Sequence, residues 1–289
     1  MTGAELVAIA IQLSMAIIIF CVGLNARFKD ITGVLAKPGL LFRSLLAMNV
    51  IMPAVAVLIA IWFDLNLVVE AALIAMALSP IPPILPTKEL KAGGDPSYIL
   101  GVLVAAALLS IVFVPLVSQL VGEFFGRRLR VSAATVAGIV TTSILMPLLA
   151  GLWLKRMWPS VANRFARPLS IFGTLLLIAA FIPVLIAERR AFAALVGSFT
   201  FVAIVAFVLI GLAVGHLLGG PDPDDRTVLA LSTATRHPAV AMAIVHGAHE
   251  KQRVLAAVLL VLLVGSVVSV PYVKWRRRRH GATAAGVRA

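Results

Sequence analysis

Apolar residues run along this chain in long, nearly uninterrupted stretches, with charges and the Gly and Pro residues falling between them. Splitting the runs at those breaks predicts nine helical membrane spans near residues 5–25, 39–62, 66–93, 96–121, 131–154, 168–187, 191–218, 226–248 and 252–273. Closed β-barrels need alternating segments of about ten residues, and the sequence has none. The pattern predicts an all-α polytopic membrane protein whose one transmembrane domain covers residues 1–280, followed by an unstructured cytoplasmic tail at 281–289.

Two spans cannot be continuous helices. The third reads Ser79-Pro80-Ile81-Pro82-Pro83-Ile84-Leu85-Pro86-Thr87-Lys88-Glu89, and each proline removes a backbone donor and clashes with the preceding turn. The eighth reads Ser232-Thr233-Ala234-Thr235-Arg236-His237-Pro238, and Pro238 disfavours the helical conformation at His237. Backbone groups freed inside a bilayer persist only where protein or a water-filled cavity receives them, so both breaks predict an interior site. Each break lies in the third span of a four-span unit, about 5–121 and about 168–273, with the span at 131–154 linking them. The two units enter the membrane from opposite sides. Inverted repeats with discontinuous helices in corresponding positions point to a secondary transporter.

Composition narrows the classes. Of 289 residues, 61% are hydrophobic and 13% charged, against roughly 25% charged in a soluble domain. The net charge of +13 reads as topology rather than nucleic-acid binding. With the N-terminus outside, 17 Lys and Arg residues fall on the cytoplasmic side and 7 outside, Arg236 being left within a span. The outer cluster Arg127, Arg128 and Arg130 runs against that bias. The C-terminal run Arg276, Arg277, Arg278 and Arg279 reads as a contact for anionic lipid headgroups. The expected setting is a bacterial inner (plasma) membrane. Cys21 is the single cysteine, which excludes a disulfide within one chain.

The segment Val22-Gly23-Leu24-Asn25-Ala26-Arg27-Phe28-Lys29-Asp30, the Ile51-Met52-Pro53 of the second span and the two broken spans in this order resemble the bile acid:sodium symporter family. The resemblance implies the nine-span form of that family, a panel and a core domain, two broken helices crossing in the core, and carriage of organic anions by alternating access. It also implies where sodium ligands would lie, and there this chain departs. Ile81 and Pro82 stand at a Gly-Gly pair, Leu85 and Pro86 at Ser-Asn, Ile99 and Leu103 at hydroxyls. Ser232 stands at the glutamate, Arg236 and His237 at Gln-Asn, and Met48, beside Asn49, at a glutamine.

In place of those ligands the breaks carry Lys88, Glu89, Arg236 and His237. A charge at mid-membrane costs about 2.5–3.5 kcal/mol on insertion scales, so such residues usually face a cavity or a partner. Two readings stand for Arg236: a fixed cation in the electrostatic role of sodium that also attracts an anionic substrate, or a structural cap on the carbonyls of a broken helix. Lys88, Glu89 and Lys91 either join the site or form a solvated cytoplasmic helix end. Positive dipole ends after Pro86 and Pro238 would add amide donors.

The residues expected to line a substrate site are Asn49, Thr87, Lys88, Glu89, Ser232, Thr233, Thr235, Arg236 and His237, shaped by Pro80, Pro82, Pro83, Pro86 and Pro238. No metal and no cofactor are expected; a proton, or no coupling ion, fits the replaced ligands better than sodium. His246, His249 and Glu250 have ligand-like spacing but read as a solvated loop. Asp225 reads as a helix cap, and Glu5, Asp30 and Glu70 as span-end residues reaching the headgroups. The expected function is secondary transport of a small organic anion. Sodium coupling despite the altered ligands and a non-transporting receptor or scaffold remain alternatives; an enzyme is not expected, since no nucleophile–base pair or metal motif lies within a span.

Overall fold

A computed structural model describes residues 3–63, 65–126, 129–195, 199–245 and 251–286. Among the described residues the fold is helical throughout, without strands. The chain begins with α1 (Gly3–Asn25) and the short α2 (Phe28–Thr32), then α3 (Pro38–Leu46) and α4 (Met52–Trp62) joined by a π-helical turn at Ala47–Ile51. Next come α5 (Leu67–Leu78), α6 (Leu85–Lys91) and α7 (Pro96–Phe124). A second π turn, Thr141–Leu145, joins α8 (Ala133–Val140) to α9 (Met146–Met157). The remainder is α10 (Pro159–Ala187), α11 (Arg189–Leu195), α12 (Thr200–Leu218), α13 (Pro223–Ala234), α14 (Pro238–Ile244) and α15 (Lys251–Gly286).

Seven helical stretches among the described residues are long and apolar enough to cross a membrane: Leu6–Asn25, Pro38–Trp62, Pro96–Phe124, Ala133–Met157, Pro159–Ala187, Thr200–Leu218 and Arg253–Arg279. The sequence reading expects nine. The difference lies at 66–93 and 226–248, where helices of 12 and 7 residues stand in place of a single span. At about 1.5 Å per residue a 12-residue helix reaches about 18 Å, short of a hydrocarbon core about 30 Å thick. At the other end, α15 continues to Gly286, beyond residue 280 where the tail is expected to begin. The residues there include Ala282, Ala284 and Ala285 and no proline, so strong helix formers follow Gly281 and no proline breaks the helix.

Helix α5 is the centre of the molecule. Every residue from Val69 to Leu78 is buried, as suits a helix that is apolar all round, and it packs on α4, α14 and α15. Glu70, expected at a membrane edge, is instead buried in the first turn of α5. The opposite extreme is α10, which leaves Ile171, Phe172, Leu175, Ile178, Ile182 and Ile186 exposed, an apolar face suited to lipid.

Lipid gives no hydrophobic drive for helices to associate, so small residues that let backbones approach set the crossings. Helices α1 and α9 meet at a glycine pair: a Cβ on Gly23 would come within 2.4 Å of the Leu148 carbonyl oxygen, and one on Gly151 within 2.2 Å of that of Phe20. Between α12 and α13 a Cβ on Gly215 would lie 2.4 Å from the Leu229 carbonyl oxygen.

Polar contacts tie the helix ends. Asp222, not Asp225, caps α13 by accepting from the Asp224 amide at 2.9 Å, because Pro223 takes the first helical position. Asp225 is buried and pairs with Lys37 at 2.7 Å, a bond that raises the Lys37 ammonium pKa above its ordinary value. Asp30 accepts from the Arg27 amide at 2.7 Å and the Ser97 hydroxyl at 3.1 Å, fixing the turn after α1. The Glu5 side chain, Arg127, Arg128, and the His246, His249 and Glu250 group lie outside the described residues.

Candidate functional site

The prolines leave specific carbonyls without donors. The amides that would close a helix or 3₁₀ turn onto the Ser79 carbonyl belong to residues 82 and 83, and both are proline. Ser79 itself ends α5, its amide donating to Met76 O at 3.1 Å and its hydroxyl to Ala75 O at 2.7 Å. A second orphan arises in the π turn. The Met52 amide donates to Ala47 O rather than to Met48 O, and the next amide along is missing because residue 53 is proline. The Met48 carbonyl is therefore left open inside the protein.

Arg236 fills both gaps. Its Nη1 donates to Ser79 O at 3.3 Å and its Nη2 to Met48 O at 3.1 Å. The backbone amide of His237 donates to Pro80 O at 2.9 Å. The break between α13 and α14 thus supplies donors to acceptors left open by the break between α5 and α6. Arg236 is only 2% exposed; among the described residues it makes no ion pair with a carboxylate, and its Nε–H has no acceptor. A guanidinium beyond the C-terminal end of α5 also faces the negative end of that helix's dipole.

Two further links cross the site. Ser232 donates to Glu89 Oε1 at 2.6 Å, joining α13 to α6, and Glu89 is 1% exposed. Lys88, on the same short helix, donates to Ser269 of α15 at 2.9 Å, and the Ser269 hydroxyl bonds in turn to Gly265 O. Neighbouring residues of α6 are therefore held by two different helices, and Lys88 is tied to another helix rather than standing at a solvated end. His237 Nε2 lies 3.2 Å from Ser143 Oγ, whose own proton goes to Ile139 O at 2.6 Å. That arrangement puts the imidazole proton on Nε2 and leaves Nδ1, which is buried without a partner among the described residues, as an open acceptor.

Of the expected residues, Lys88, Glu89, Ser232, Arg236 and His237 share this network. Asn49 and Thr233 spend their side chains on Leu45 O and Leu229 O of their own helices, at 3.1 and 2.5 Å. Thr87 and Thr235 are half-buried at the edges of the two breaks. Pro80 contributes its carbonyl, Pro82 and Pro83 the missing donors, Pro86 sits in the first turn of α6, and Pro238 opens α14. Sequence reasoning missed Ser143 and Ser269 as side-chain partners and the Met48 carbonyl as an acceptor. The polar run Thr141-Thr142-Ser143 and the serines of Gly265-Ser266-Val267-Val268-Ser269, within otherwise apolar stretches, were the available signal.

Arg276 turns inward as well. It is 5% exposed and donates to Thr227 Oγ1 and Pro223 O, both at 2.6 Å, so it clasps α15 to the start of α13. Arg277, Arg278 and Arg279 remain exposed.

Long apolar helices around a buried polar network define an integral, polytopic α-helical membrane protein. The model of the Sodium Bile acid symporter family matches residues 12–194. The chain belongs to that family. No curated protein matches it. The matched region contains α5, α6 and the Met48 carbonyl but ends before α13 and α14, so Ser232, Arg236 and His237 lie beyond it.

Proposed function

We propose that this protein is a secondary transporter of an organic anion that works by alternating access. The observation that carries the reading is Arg236, a buried cation bound to backbone carbonyls, with its Nε–H open and no carboxylate among the described residues to neutralise it. A buried charge without a counter-ion is costly and is kept where an anion or a cavity meets it. In this reading α5 with α6, and α13 with α14, each complete one crossing, giving nine with the seven long helices. The units at about 5–121 and 168–273 are inverted repeats around the linking span. The N-terminus lies outside and the C-terminus inside.

Arg236 serves as a tethered cation on the carbonyls of Ser79 and Met48, where a diffusible cation would otherwise be needed. Sodium is then not the coupling ion. Net uptake of an anion by proteoliposomes under an imposed sodium gradient, a proton gradient or neither tests the scheme. Flux in the absence of sodium is expected. Uptake that depends on sodium overturns the tethered-cation reading, and unaltered uptake by both Arg236→Ala and Arg236→Lys overturns the role of Arg236 in the site.

A further inference from the structure

The crossing contains one acidic side chain among the described residues, and it is placed as a movable charge rather than as a counter-ion. Glu89 is buried, and among the described residues its carboxylate accepts one hydrogen bond, from Ser232. It pairs with neither cation within ion-pair distance: Lys88 is turned to Ser269, and Arg236 to two carbonyls. An ionised carboxylate has room for about four donors. Left with so few, it is costly to keep charged in a membrane interior and ready to accept a proton.

Charged groups on the surrounding elements are committed elsewhere. On α13, Asp225 is paired with Lys37 and the Arg226 Nε–H donates to Gly220 O. On α7, the Tyr98 hydroxyl is shared with Ser44 at 2.6 Å, and Asp95 caps the Tyr98 amide. Glu123 lies at the far end of α7. On α1 the titratable side chain among the described residues is the buried thiol Cys21. On α15, Arg276 is bound to Thr227 and Pro223. Lys91, on α6 itself, is exposed.

We infer that Glu89 carries the proton that accompanies the anion, one proton for each monovalent anion, with the Ser232 hydroxyl as its partner across the two breaks. The inference rests on the transport reading above. Its logic is charge balance: with His237 neutral, Lys88 and Arg236 cationic and Glu89 ionised, the empty crossing carries one net positive charge. A monovalent anion bound together with a proton on Glu89 leaves that charge unchanged, so loaded and empty forms cross the same electrostatic barrier. An anion alone, or a proton alone, changes it. When Glu89 is protonated, its bond with Ser232 survives with either oxygen as donor, so the link between α6 and α13 does not depend on the charge state.

Glu89→Gln mimics the protonated form. Reconstituted in proteoliposomes with taurocholate as the probe anion, the wild-type protein is expected to show net uptake driven by an inward proton gradient and unaffected by membrane potential. It should also exchange taurocholate at equal pH. Glu89→Gln is expected to lose the gradient-driven uptake and keep the exchange. Gradient-driven uptake that survives in Glu89→Gln overturns the inference while leaving the transport reading intact. Absence of exchange in the wild type counts against the transport reading instead. Infrared difference spectra of the purified full chain on acidification decide the proton assignment independently of flux: a protonated-carboxyl C=O band present in the wild type and lost in Glu89→Gln supports it, and identical spectra overturn it.

Discussion

The guanidinium of Arg236 donates to the carbonyl oxygen of Met48 across a sequence separation of 188 residues, at 3.1 Å. The acceptor exists because a π turn and Pro53 together deprive Met48 of a helical donor. The donor is available because α13 ends at Ala234, two residues before Arg236, and α14 begins only at Pro238. Neither defect is tolerable in a membrane interior alone, and each answers the other.

Removing the side chain should expose both orphans. Arg236→Ala leaves the Ser79 and Met48 carbonyls buried without donors, at about 1–3 kcal/mol for each. A clear fall in melting temperature in detergent is expected. Arg236→Lys, with a single ammonium in place of a planar fork, should fall between the two.

The Met48 half of that loss should be repairable in cis. Pro53→Ala restores an amide in the first turn of α4, five residues after Met48, where a π-type bond to the Met48 carbonyl can form. In a double-mutant cycle Arg236→Ala should then cost less in the Pro53→Ala background than in the wild type, with a coupling of about 1 kcal/mol. Strict additivity would mean that the orphan carbonyl is not what Arg236 satisfies.

Sodium should not act as a ligand. A ligand that binds the folded state alone raises its stability by mass action, so replacing choline with sodium at equal ionic strength is expected to leave the melting temperature unchanged.

The glycine crossing between α1 and α9 can be tested against an internal control. Gly151→Ala drives a methyl group toward the Phe20 carbonyl and should destabilise by about 1–3 kcal/mol, in the range of overpacking. Gly138, where an added Cβ meets nothing within 4 Å, should accept alanine without loss.

The terminal arginines should divide by burial. Arg276→Ala should lower stability through its lost bonds to Thr227 and Pro223. Arg277→Ala and Arg278→Ala should leave stability alone and weaken association with anionic lipid, read as a smaller effect of added phosphatidylglycerol on the melting temperature.

Much of this was legible in the chain itself, because the hydrocarbon core imposes its length and its ban on unpaired backbone groups on any sequence that crosses it. Long apolar runs gave the helices, and prolines 80, 82, 83, 86 and 238 marked where helix could not continue. The cap of α13 was misassigned to Asp225 because cap position depends on where Pro223 starts the helix. The reach of α15 to Gly286 was missed because a basic, polar terminus carries no apolar periodicity.

Local covalent facts therefore determined which donors are missing: a proline has no amide wherever the chain places it, and Ser79 and Met48 owe their open carbonyls to that. Which group answers each orphan is a matter of tertiary structure. Arg236 meets Met48, His237 meets Pro80, Ser232 meets Glu89 and Lys88 meets Ser269 only because folding brings together segments far apart in the sequence, and no periodicity or composition encodes those distances.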